Sequence, residues 1–325
     1  MSERDVMTQA SVERLNLTGA LCAFAAAMCF SLNDVAIKFL SEGYALHQVV
    51  FIRACVALAA FALLILPFHG TVVFRTRRPG AHAVRGVCVV FANSFLFLGL
   101  AALPIADAVA VFFVSPLVIT VFSVIFLQER VGARRWTAIA VGFAGVLLIV
   151  KPGTSAFQLA SLFPMLAATL YAVMHIIARR IGGTESAATM AVYSQLTFLV
   201  ISALIGLGIG DGKLAGAVHP DLDFLVREWA PLAAGDYWLF LLLGVSGLMG
   251  VLLISQAYRL SEAAFAAPFE YVSMPMAIMW GVTVFGTWPD SIAWAGIALI
   301  LGGGLYLVWR ESRKGRVAGD APVRR

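Results

Sequence analysis

Apolar residues run through this chain in long stretches broken by short polar segments, and each stretch is about as long as a bilayer-crossing helix, which needs about 20 mostly apolar residues. Ten runs fit that scale. They lie near 17–40, 48–68, 82–102, 105–127 and 133–150, then near 159–181, 187–209, 236–258, 262–285 and 290–309. Only Leu103-Pro104 separates the third run from the fourth, and their combined length, enough for two spans, forces a hairpin there. The pattern predicts an all-α integral membrane protein with ten transmembrane helices.

Charge fixes the orientation of those helices. Of the 23 lysines and arginines, seventeen fall in the two termini and the connections on their side, whereas Lys151, Lys213 and Arg227 fall on the opposite side. Cytoplasmic loops carry the excess of positive charge, so both termini are expected in the cytoplasm. The net charge of +5 therefore consists of topology signals and a basic tail, which excludes a nucleic-acid partner. Composition agrees: 61% of residues are hydrophobic and 13% charged, against about 25% charged in a soluble domain. Cys22, Cys29, Cys55 and Cys88 all lie inside apolar runs, as small core residues rather than a disulfide framework or a metal site. The polar first sixteen residues lead to no cleavage site, so the first helix is expected to stay and act as its own insertion signal.

The runs divide into two similar halves. Trp136, Ala140 and Gly145 have counterparts 158 positions later in Trp294, Ala298 and Gly303, and Leu103–Pro116 resembles Leu260–Pro275. Five helices per half is an odd number, so the second copy enters the bilayer upside down. Inverted repeats with a site at their interface are a transporter architecture. The expected layout is a cytoplasmic tail over 1–16, repeats over 17–150 and 151–310, an outer loop over 210–235 and a basic cytoplasmic tail over 311–325. Part of that loop, Asp221 to Trp229, reads equally as an amphipathic interfacial helix or as a solvated loop, with no role in chemistry.

Charged groups inside the runs are the candidate chemistry, because each costs about 2.5–3.5 kcal/mol at a helix centre unless it faces a cavity or a partner. Asn33, Asp34 and Lys38 occur in the first run. Asp34 and Lys38 are four apart on one helix face, so they form either an ion pair with Lys38 free to snorkel, or a substrate or proton site. Arg53 lies about five residues into the second run from the outside, where a cavity or pairing role competes with snorkelling to the outer headgroups, and Asp34 is its most economical partner. Arg85 is near enough to the cytoplasmic end of the third that the inner headgroups are its leading destination. Asn93 is two turns deeper, where small polar groups also join helices. Asp107 reads as a first-turn carboxylate favoured by the helix dipole. Glu270 sits in mid-run two residues after Pro268, a position for a kink that exposes carbonyls, and Tyr271 follows it. Tyr171, His175 and Gln256 are polar tips that read as packed residues or as ligands, and His175 also as a proton carrier.

Gly244-Val245-Ser246-Gly247 has the form of an intramembrane serine protease motif, but His175 is the only histidine in mid-membrane and no base follows in the chain. The glycines read more simply as a close-packing strip. No Walker motif is present, so ATP does not drive this chain directly.

With these features the chain resembles the drug/metabolite transporter superfamily, in its ten-helix EamA-type members. The resemblance is carried by Phe51-Ile52-Arg53, Arg85-Gly86, Leu103-Pro104-Ile105-Ala106-Asp107-Ala108, Ser115-Pro116, Leu127-Gln128-Glu129, Trp136 to Gly145 and Lys151-Pro152-Gly153. The second half adds Ala257-Tyr258-Arg259-Leu260, Ala267-Pro268-Phe269-Glu270-Tyr271 and Gly302-Gly303-Gly304. It departs at Phe285-Gly286-Thr287, where the family usually keeps a carboxylate. The resemblance implies a secondary-active or facilitative carrier in the bacterial inner membrane, working by alternating access, without cofactor or metal. Its expected substrate is a small zwitterionic or amphipathic metabolite such as S-adenosylmethionine, riboflavin or an amino acid; a homodimer stays open. The competing expectation is a non-transporting receptor or assembly subunit.

Overall fold

The computed structural model describes residues 3–128, 132–154, 157–181, 185–214, 216, 218–260 and 269–319, and its regular elements are helical throughout. The helices are α1 (Glu3–Leu40), α2 (Leu46–Leu64), α3 (Leu66–His69), α4 (Pro79–Ala102), α5 (Ile105–Phe112), α6 (Ser115–Leu127) and α7 (Ala133–Val150). They continue with α8 (Leu162–Ile181), α9 (Ala187–Ile209), α10 (Asp223–Val226), α11 (Tyr237–Leu260), α12 (Ser273–Thr283) and α13 (Ser291–Gly319). Among the described residues, seven stretches are long and apolar enough to cross a membrane, and Trp136–Val150 and Ser291–Tyr306 are shorter apolar helices. Large apolar side chains such as Leu63, Leu204 and Leu207 point outward, as they do where lipid is the solvent. The chain is an all-α integral membrane protein.

Prolines interrupt the long runs. Proline lacks an N–H and its ring clashes with the carbonyl four residues back. Pro116 accordingly separates α5 from α6 at Phe113-Val114, and Pro67 separates α2 from α3. In the ninth run the chain is helical at Phe269 and Glu270, turns at Tyr271-Val272, and resumes in α12 ahead of Pro275. Pro268, where a kink was expected, lies outside the described residues.

Helix pairing follows a pattern of exchange. α1 packs mainly on α11 and α4 mainly on α8, while α2 lies on α9, α7 on α13 and α5 on α12. α7 and α13 meet through glycine: a Cβ on Gly145 would come 2.6 Å from the Gly296 carbonyl, and one on Gly296 would come 2.7 Å from that of Gly145. A Cβ on Gly303 would come 2.9 Å from the Ala138 carbonyl. Gly303 and Ala138 lie 158 positions from Gly145 and Gly296, so one contact repeats the other with the halves exchanged.

The outer loop packs against the bundle rather than remaining a plain solvated loop. Pro220–Leu222 forms one turn of 3-10 helix leading into α10, whose Phe224 is buried in the main core with Val226 buried nearby. Gln48 clamps it from α2, donating to the Ala230 carbonyl at 2.6 Å and accepting from the Ala230 amide at 3.0 Å. Arg227 donates to the carbonyls of Ser41 and Glu42 just past the end of α1.

Candidate functional site

Two polar groups form around α4. In the first, Asn33 on α1 is buried and its amide donates to the Leu243 carbonyl at 2.9 Å and to the Ser246 hydroxyl at 3.4 Å, both on α11. Arg53 on α2 is only 6% exposed. Its Nη1 donates to Asn93 Oδ1 at 3.3 Å, and Asn93 is itself steadied by donating to the Val89 carbonyl. The guanidinium lies 5.4 Å from the Phe97 ring centroid and 5.0 Å from that of Phe198, so aromatic faces stabilise its charge. Asp34 acts on Arg53 through space without an ion pair.

Gly247 makes room for this group. A Cβ there would stand 3.2 Å from both Arg53 Nε and Asn33 Nδ2. Arg53 Nε is buried and has no hydrogen-bond partner among the described residues. A buried cation with a donor left over is costly to maintain, and a planar guanidinium suits a carboxylate, a phosphate or a ring carbonyl.

The second group lies nearer the start of α4. Arg85 does not reach for headgroups as its position suggested. Its Nη1 turns inward to α9, donating to the Met190 carbonyl at 3.1 Å and to Ser194 Oγ at 2.8 Å. Those fixed acceptors on a neighbouring helix win over a headgroup because they cost no snorkelling. Tyr171 on α8 packs edge-on against Phe112 at 5.3 Å and His175 at 4.4 Å, and the charges of Glu270 and Arg85 both act on it. Tyr271 stacks on Phe113 at 5.2 Å, joining the break in the fourth run to that in the ninth. His175 Nε2, Arg85 Nε and the Tyr271 hydroxyl are buried without hydrogen-bond partners among the described residues. Gln256 is half-buried, nine residues (about 13 Å of helix) along α11 from Gly247.

Lys38 is brought to neither group, and it does not pair with Asp34. Its ammonium donates to the carbonyls of Leu100 at 2.7 Å and Leu103 at 2.6 Å, with the Phe285 ring 5.5 Å away. These are carbonyls left open by the end of α4, where a cation is favoured by both hydrogen bonding and the helix dipole. Asp107 occupies the first turn of α5 as expected, though its Oδ1 is buried without a hydrogen bond among the described residues.

Sequence reasoning missed one buried pair. His82 Nε2, at the start of α4, lies 3.2 Å from Glu185 Oε2, just ahead of α9, with side chains 1% and 3% exposed. Tyr193 stacks on the imidazole at 4.8 Å. Burial opposes the charge on Glu185, but hydrogen bonds from His82, the Arg77 amide and the Thr76 hydroxyl outweigh it and hold the carboxyl below its usual range. Nothing local in the sequence joins residues 103 positions apart; the one available signal was His82 lying a single turn before Arg85.

A model of the EamA-like transporter family matches residues 17–151. A riboflavin transporter of Rhizobium johnstonii is 31% identical over 304 residues, 92% of this chain and 94% of its own length. An S-adenosylmethionine uptake transporter of Rickettsia felis is 27% identical over 286 residues, 87% of this chain and 90% of its own. A solved crystal structure of a protein 20% identical in sequence superposes with a TM-score of 0.61, covering 91% of this chain and 97% of that one, a likeness of fold.

Proposed function

This chain belongs to the EamA-like transporter family and is a membrane transporter of a small metabolite rather than an enzyme, and from that premise we propose that it carries a zwitterionic or amphipathic heterocyclic solute through a site centred on Arg53. The buried guanidinium of Arg53, set between two phenyl rings beside Asn33, Asp34 and Asn93 with Nε unpartnered, is the observation that carries the reading. An acceptor on the solute satisfies Nε, Asp34 balances a cationic part, and Phe97 and Phe198 offer faces to a ring. Arg85, Tyr171, His175, Glu270 and Tyr271 form a second contact zone for the far end of the solute. Riboflavin and S-adenosylmethionine, named for the relatives, both combine a heterocycle with polar groups.

The same proposal places ten helices in two inverted five-helix repeats in the bacterial inner membrane, both termini cytoplasmic. The exchanged pairing of α1–α11 with α4–α8, and of Gly145–Gly296 with Gly303–Ala138, supports the repeats. Their odd helix number supports alternating access at the interface between the halves. Proteoliposome uptake of labelled riboflavin and S-adenosylmethionine, competed by amino acids, tests the reading. Arg53→Ala is expected to lower uptake at least about a hundredfold, the scale of losing a buried charged contact, with insertion unchanged. Normal uptake by that variant removes Arg53 from the site.

A further inference from the structure

Two side-chain contacts close opposite ends of the bundle, and they occupy exchanged places in the two halves. At one end Tyr44, just ahead of α2, donates its hydroxyl to Asp236 Oδ2 at 2.6 Å, just ahead of α11, and accepts from the Ala233 amide. At the other end Glu185, just ahead of α9, meets His82 at the start of α4. In the two-repeat layout α2 corresponds to α9 and α4 to α11. Each contact therefore ties the second helix of one half to the third helix of the other.

The chemistry of the two contacts differs. Burial, and then the hydrogen bond to Asp236, raise the Tyr44 phenol above its ordinary value, so this contact keeps its proton throughout the physiological range. Imidazole is the side chain that changes charge between about pH 5 and 8. His82 Nε2 faces the carboxylate, so it carries the shared hydrogen, and Nδ1 is buried with no partner among the described residues. Nδ1 is therefore the atom open to a further proton. Glu185 is the charged group in contact with the ring; Arg77 in the preceding loop donates its backbone amide to the same carboxylate, and Arg85 one turn along α4 is turned to acceptors on α9. Tyr193, from α9, covers the ring and donates its hydroxyl to the Phe74 carbonyl.

We propose that His82 and Glu185 form a proton-binding site that latches the cytoplasmic end of the transport path, shut when His82 is protonated and released when it is not. The inference rests on the ten-helix transporter reading for its assignment of sides. Imidazolium–carboxylate hydrogen bonds are roughly twice as strong as neutral ones, and α4 and α9 also carry Arg85 and its acceptors. Parting these helices breaks both contacts together. The proton comes from solvent to Nδ1 and returns to solvent, and no other bond changes. On the acid side the sign is fixed by Glu185. Its carboxyl is held below its usual range, so its contribution is present above the ordinary carboxylate value and is lost only as pH falls through the depressed one.

Hydrogen exchange of the full chain in phospholipid nanodiscs, at about pH 5.5 and about pH 8 and corrected for intrinsic rates, tests the latch without any substrate. Amides at 80–86 and 186–193 are expected to exchange at least about tenfold faster at the higher pH, the scale of losing one charge-assisted bond. In His82→Gln the difference between the two pH values should vanish, and in Glu185→Gln both values should show the faster exchange. Equal protection of the wild type at both pH values overturns the proposal, as does an unchanged response in His82→Gln. Uptake of riboflavin and S-adenosylmethionine by the same proteins separates the two readings. A pH-dependent exchange difference without uptake of either probe leaves the latch standing and sinks the substrate assignment, whereas uptake in His82→Gln with the wild-type pH profile sinks the latch.

Discussion

The ammonium of Lys38 closes the end of a helix 62 positions away, which makes its role structural and its loss predictable. Lys38→Ala leaves the Leu100 and Leu103 carbonyls without their donor, and each unpaired carbonyl costs about 1–3 kcal/mol. Thermal unfolding in detergent is expected to fall by several degrees, whereas Lys38→Gln, whose amide can still donate, should recover part of the loss. An unchanged midpoint in Lys38→Ala would show that water replaces the ammonium. Gly247 makes the opposite case, a residue that acts by what it lacks. In Gly247→Ala the new methyl meets Arg53 and Asn33, and overpacking would cost about 1–3 kcal/mol only where the neighbours could not move. Because the flexible end of Arg53 yields first, the expected result is uptake reduced about tenfold with unchanged melting. Equal loss of stability and uptake would instead make Gly247 a packing glycine, as the Gly-x-Ser-Gly stretch first suggested.

At the scale of elements, the proposed transport cycle gives the moving role to the breaks rather than to the helices. Phe113 and Tyr271 stack where the fourth and ninth runs are interrupted, ahead of Pro116 and Pro275. Discontinuous helices at the membrane midplane release carbonyls and allow the two segments to move separately. Pro116→Ala restores the missing donor and removes the clash, so it is expected to fuse α5 with α6, raise the melting temperature and lower uptake at least about tenfold. Undiminished uptake would make the break incidental. The runs themselves were legible because hydropathy extends over a whole span; the break ahead of Pro116 was not, since one proline alters backbone geometry without altering hydropathy, and in the ninth run a kink was expected at Pro268 whereas the described turn is at Tyr271-Val272. That Arg53 needs a partner was legible because a charge inside an apolar run is costly alone, but its hydrogen bond goes to Asn93 rather than to Asp34, the partner expected from sequence. Lys38 and Arg85 found backbone carbonyls instead, and every residue has a carbonyl, so sequence does not single out those acceptors. In the outer loop the burial of Phe224 and Val226 was not legible, because it depends on the distant clamps from Gln48 and Arg227.

Across the whole molecule, the exchanged contacts make the two halves depend on each other equally. α7 and α13 approach through Gly145 and Gly296 on one side and through Gly303 and Ala138 on the other, where an added Cβ would meet a facing backbone carbonyl, together with the side chains of Ile300 and Leu299 at Gly145. Backbone cannot swing away, so a large side chain at either glycine separates the helices. Small residues at membrane helix interfaces serve this purpose, because apolar tails of lipid supply no competing hydrophobic drive. If the halves are equivalent in this respect, Gly145→Leu and Gly303→Leu are matched injuries, each costing at least the roughly 1–3 kcal/mol of an overpacked core. Gly302 is the internal control, next to Gly303 in sequence but exposed, with nothing within 4 Å of the position its Cβ would take. Detergent-solubilised Gly145→Leu and Gly303→Leu are both expected to lose the monodisperse species in size-exclusion chromatography, while Gly302→Leu elutes as wild type. Loss in one half with tolerance in the other would mean that a single repeat organises the bundle, and the exchange symmetry would then be a likeness of sequence without a shared mechanical role.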